Sequence, residues 1–108
     1  MTIVYYLDDE PELCEIFTEL FSSDLTTIKT FTDADQAISA VNQDKPDVFF
    51  IDYRLVGTTG DIVALNTRED IKKVLITGDL TFNSQYKFSQ VINKPYPFDQ
   101  IQKVIASS

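Results

Sequence analysis

Four short apolar runs, each ending close to polar side chains, set most of what this chain can fold into. Ile3-Val4-Tyr5-Tyr6-Leu7 runs into Asp8-Asp9, and Val48-Phe49-Phe50-Ile51 runs into Asp52. Val74-Leu75-Ile76 meets Thr77, and Val91-Ile92 stops shortly before Lys94. Continuous apolar runs of this length mark strands buried on both faces. The stretches between them carry helical spacing. Leu13, Ile16, Phe17, Leu20 and Phe21 make one apolar helix face behind Pro11, a residue suited to a first helical turn. Residues 26–31 alternate as a half-buried strand does. Thr32 or Asp33 can cap a helix over 34–43, which Asp44-Lys45-Pro46 then breaks.

The second half reads in the same way. Gly57 to Gly60 is a loop, and 61–68 a short helix. Residues 72–77 and 90–93 are strands, with a Gly78-Asp79 turn and an irregular helix over 80–89 between them. Lys94-Pro95-Tyr96-Pro97 is a stiff loop, and Phe98, Ile101, Val104 and Ile105 form a closing amphipathic helix. Strand and helix thus alternate five times. That predicts an α/β domain with a five-stranded, doubly wound parallel sheet and right-handed crossovers. One domain over 1–108 is expected, without an attached output domain.

Composition narrows the function classes. A net charge of −8 argues against direct nucleic-acid binding, which needs a basic face. Histidine is absent and Cys14 is the only cysteine, so histidine catalysis, thiol-rich metal sites and intrachain disulfides are all excluded. No apolar run approaches the roughly 20 residues of a membrane helix. The start lacks the basic region of a secretory signal. A soluble cytoplasmic protein without membrane association is the expectation.

In a parallel sheet the carboxyl ends of the strands form one rim, where ligands bind. Asp8, Asp9, Asp52, Thr77 and Lys94 all fall on that rim. Three neighbouring carboxylates repel one another unless a cation sits among them, and oxygen ligands of this kind suit Mg²⁺. Such a site handles phosphate. Glu12, Glu15 and Glu19 read as a solvated face bordering it.

An acidic pair after the first strand, Asp52 after the third, Thr77 after the fourth and Lys94-Pro95 after the fifth resemble the response-regulator receiver domain of two-component signalling. The resemblance spans the whole chain. It implies a flavodoxin-like fold with strand order 2-1-3-4-5, which sets Asp8 and Asp9 beside Asp52. It implies Asp52 as phosphoacceptor. It further implies Mg²⁺ held by Asp8, Asp9, Asp52 and the Arg54 backbone carbonyl, Thr77 as the switch hydroxyl, and Lys94 as the lysine beside the phosphoryl group. A cis Lys94-Pro95 bond is implied too. The implied donor is a histidine kinase or a histidine phosphotransfer protein, and the chain is then a phosphoacceptor and not a turnover enzyme.

Three features depart from that family's pattern. Val91 stands where an aromatic is usual. The spans from Asp52 to Thr77 and from Thr77 to Lys94 are short, which predicts trimmed third and fourth helices. Val56 replaces a common proline, and Thr59 stands where an acidic or polar residue is usual. Arg54 and Asp79 flank the entrance to the site. Two rivals stay open: a receiver-like module that binds proteins without phosphorylation, and an aspartate-nucleophile phosphatase. The phosphatase class wants a second Asp two residues after its nucleophile, and Glu10 holds that place after Asp8. A flavin site is disfavoured, because Asp8-Asp9-Glu10 would repel its phosphate.

Overall fold

The computed structural model describes residues 1–78 and 86–108. Five parallel strands build the main sheet: β1 (Thr2–Leu7), β2 (Thr26–Phe31), β3 (Val48–Asp52), β6 (Lys72–Thr77) and β7 (Gln90–Asn93). Two further strands, β4 (Arg54–Leu55) and β5 (Thr58–Thr59), pair antiparallel as a small hairpin outside it. The sheet order is β2-β1-β3-β6-β7. With the hairpin set aside, this is the expected 2-1-3-4-5. Every residue of β3 is buried, as its unbroken apolar run requires of a central strand.

The pleat sends alternate side chains to two cores. Val4, Tyr6, Val48, Phe50, Val74 and Ile76 face one side, where α1 (Pro11–Phe21) and α4 (Phe98–Ala106) pack. Tyr5, Leu7, Phe49 and Ile51 face the other, under α2 (Ala34–Asp44) and α3 (Gly60–Leu65). Asp33 caps α2 by accepting from the Gln36 N–H at 2.9 Å. Lys45 ends that helix with φ 53.

Several boundaries and faces differ from the expectations. The third helix begins one residue early and stops at Leu65, not Arg68. It has 6 residues where α1 has 11, so the predicted trimming holds for it. The loop from Gly57 to Gly60 is half hairpin, turned by Gly57 at φ 79. On α1 the buried stripe is Cys14, Phe17 and Phe21, while Ile16 and Leu20 stay about half exposed. These two lie on the helix flank beyond the edge of the core. Phe98 is also about half exposed, stacked on Phe21 at 5.0 Å. The helix expected over 80–89 and the turn at Asp79 fall wholly or partly outside the described residues. No helix among the described residues is long and apolar enough to cross a membrane.

Candidate functional site

The parallel register carries the predicted side chains to one rim. Leu7 lies opposite Ile51, so Asp8 leaves β1 level with Asp52 at the end of β3. Asp52 pairs with Ile76 one residue before Thr77, and Thr77 pairs with Asn93 one residue before Lys94. The Lys94 N–H donates to the Thr77 carbonyl at 2.7 Å, which fixes the lysine backbone against β6. The Lys94-Pro95 bond is cis, as expected.

Carboxylate oxygens of Asp8, Asp9 and Asp52 all lie within 4.8 Å of one another. Asp8, Asp52 and Thr77 are buried, Asp9 is half-buried, and Arg54 is exposed. Lys94 Nζ reaches Asp52 Oδ1 at 2.9 Å and Asp8 Oδ2 at 3.3 Å. One cleft is lined by Asp9, Glu10, Asp52, Arg54, Thr77, Gly78 and Lys94. Three hard oxygen donors this close, with one ammonium among them, fit a small divalent cation.

The electrostatics follow from burial and crowding. Burial pushes the Asp52 carboxyl up to about 6, and the Asp8 and Asp9 charges add to that against the pull of Lys94. Burial also opposes the Lys94 charge, but the Asp52 and Asp8 carboxylates outweigh it and raise the ammonium above its usual range. Burial first, and then the Asp8 charge, keep the Tyr6 hydroxyl protonated far above its ordinary value.

Three supporting residues escaped the sequence reading. The Tyr6 hydroxyl donates to Asp8 Oδ2 at 2.7 Å from inside the core. Cys14 Sγ lies 3.5 Å from the Asp8 carbonyl, so this cysteine packs behind the site. Gly60 sits so close to the end of β3 that an added Cβ would meet the Asp52 carbonyl oxygen at 2.7 Å. Only the glycine had a local signal, as a breaker before a helix. The other two contacts depend on tertiary packing. Val91 is 45% exposed on the edge strand β7. Tyr86 packs over Lys73, near the start of β6, and so sits at the other end of that strand from Thr77.

Comparison with known proteins agrees with the geometry. The family model of the response regulator receiver domain matches residues 4–106. The chain belongs to that family. A receiver domain from Methylobacillus flagellatus is 20% identical with TM-score 0.84, covering 99% of this chain and 98% of that one. Response regulator TrrA from Thermotoga maritima, solved in complex with Mg²⁺-BeF, is 21% identical with TM-score 0.86 over the same shares. A receiver domain protein from Clostridium thermocellum reaches TM-score 0.88 at 14% identity, covering 99% and 93%. At these identities the likeness shows the fold. No curated protein sequence matches the chain.

Proposed function

We propose that this receiver domain accepts a phosphoryl group on Asp52 in a two-component phosphorelay. The observation that carries the reading is the Lys94 ammonium lying between Asp52 and Asp8, at the mouth of a three-carboxylate cluster. Asp8, Asp9, Asp52 and the Arg54 carbonyl would hold Mg²⁺. When bound, the ion supplies positive charge against the crowded carboxylates and the phosphoryl oxygens. An Asp52 oxygen forms the new O–P bond as the N–P bond of a partner's phosphohistidine breaks. The electron pair returns to the imidazole nitrogen. Lys94 neutralises a phosphoryl oxygen, and preorganised charge of this kind is the main source of catalysis in phosphoryl transfer. The Thr77 hydroxyl then donates to the new group, whose added charge biases the loops around it.

The donor is a histidine kinase or a histidine phosphotransfer protein, and the reading puts the chain in the cytoplasm with it. The chain assists its own phosphorylation and dephosphorylation without being a turnover enzyme. Output goes through contact with a downstream protein or through onward relay. The TrrA structure with Mg²⁺-BeF supports such chemistry on this fold. Acetyl phosphate labelling with Mg²⁺, read by intact mass, tests it. One added phosphoryl group in the wild type and none in Asp52→Asn is expected; equal labelling of both would overturn it. Val91, exposed and not aromatic, favours a second reading in which the domain signals by binding alone. Absence of both labelling and Mg²⁺ binding would select that one.

A further inference from the structure

We infer that Tyr6 is a positioning residue that sets the Asp8 carboxylate for cation binding; the inference rests on the proposed Mg²⁺ site. Tyr6 is fully buried one residue before the end of β1. Its ring stacks face to face on Phe17, with centroids 4.2 Å apart and 4° between planes. Phe50 flanks it on the neighbouring strand. The ring therefore has little freedom, and its hydroxyl is aimed at Asp8 Oδ2 at 2.7 Å.

Packing alone does not call for that hydroxyl. Phenylalanine would fill the same space and leave no polar group to satisfy. The hydroxyl makes sense through what it does to Asp8. Oδ1 of Asp8 accepts from the Glu10 N–H at 3.0 Å, while Oδ2 accepts from Tyr6 and, at 3.3 Å, from Lys94. Donors on both oxygens fix the carboxylate plane. With two donors on Oδ2 and one on Oδ1, a single lone pair of Oδ1 is left for a cation. Because Tyr6 already satisfies Oδ2, Asp8 competes less strongly for Lys94, which sits closer to Asp52 at 2.9 Å. Hydrogen bonds to ligating carboxylates of this kind typically contribute 10- to 100-fold in metal affinity.

The test is Mg²⁺ titration by calorimetry on the wild type and Tyr6→Phe, with unchanged circular dichroism as the fold control. Binding about 10-fold weaker in Tyr6→Phe is expected. In an Asp8→Asn background the same change should have no further effect. A dissociation constant within twofold of wild type would overturn the inference. Should Tyr6→Phe fail to fold, proton NMR of the wild type decides. A protected Tyr6 hydroxyl proton that shifts on Mg²⁺ addition supports the inference, and one that stays put overturns it. Absence of Mg²⁺ binding by the wild type sinks the metal site itself, whereas equal binding by wild type and variant sinks only the role of Tyr6.

Discussion

Lys94 shares one ammonium between two carboxylates, lying 2.9 Å from Asp52 and 3.3 Å from Asp8. It stands in for a cation inside the acidic cluster and also competes with one. Those two effects should separate on mutation. Lys94→Gln removes a rival to the metal, so Mg²⁺ binding should hold or tighten. Labelling by acetyl phosphate should fall by about 100-fold, the loss typical of a deleted charge-stabilising donor. Parallel losses in both measurements would show that Lys94 only props the site open.

Asp52 also gives the metal-free protein a pH dependence. Its carboxyl is raised to about 6 from 3.8, mainly by burial. Between those values the folded state holds a proton that the unfolded state has lost. Stability from this group is therefore present at low pH and lost as pH rises through about 6. Asp52→Asn should flatten that slope in denaturant titrations without Mg²⁺. At pH 7.5 it should be more stable than wild type, by at most about 3 kcal/mol at ~1.4 kcal/mol per pKa unit. A slope unchanged by the substitution would refute this.

The two glycines around the hairpin should respond differently to alanine. At Gly60 the new Cβ would press on the Asp52 carbonyl oxygen at 2.7 Å and Leu75 Cδ1 at 2.8 Å. Gly60→Ala should cost about 1–3 kcal/mol as an overpacked contact, and labelling should drop with it. At Gly57 there is open space and only the φ of 79 to oppose a side chain. Gly57→Ala should cost about 1–2 kcal/mol through the backbone alone and leave Mg²⁺ affinity unchanged. Denaturation midpoints together with Mg²⁺ titrations compare the pair.

Lys73 is a buried ammonium that donates to the Ala64 carbonyl at 3.0 Å and the Thr67 carbonyl at 3.1 Å. It caps the end of the shortened α3, whose last turn carries no basic residue. Lys73→Met keeps the stem but removes the ammonium from the Thr67 carbonyl, a loss worth about 1–3 kcal/mol if that oxygen is left without a donor, while the Ala64 carbonyl keeps the Thr67 hydroxyl at 3.0 Å. Urea denaturation should show the loss. Mg²⁺ affinity should not change, because the site is at the far end of β6.

How much of this was legible beforehand depended on how local its cause is. Each run such as Val48–Ile51 announces a buried strand by itself, and the residue that ends it falls on the rim by topology. The sheet and all five rim side chains were therefore readable. Lys73 was not, because a lysine in Lys72-Lys73-Val74 reads as solvent-facing until α3 is known to end above it. The hydroxyl of Tyr6 reads as one more apolar position, because its target is reached only when β1 is folded against its neighbours. On α1, spacing could not separate Cys14 from Ile16, since the width of the buried stripe is set by how the helix lies on the sheet.

Asp8 and Lys94 are 86 positions apart in the chain, yet they meet through strands that must all be in register. A one-residue slip of β3 or β6 would turn its terminal side chain to the opposite face. On the proposed function, Mg²⁺ binding draws on Asp8, Asp9 and Asp52 and so reports on the pairing of β1 with β3, whereas phosphoryl labelling also draws on Lys94 and so reports on the topology as a whole. The fraction of chains competent for labelling should equal the fraction fully native, and partly assembled species should contribute nothing to the signal. The cluster can then serve as a built-in gauge of refolding yield.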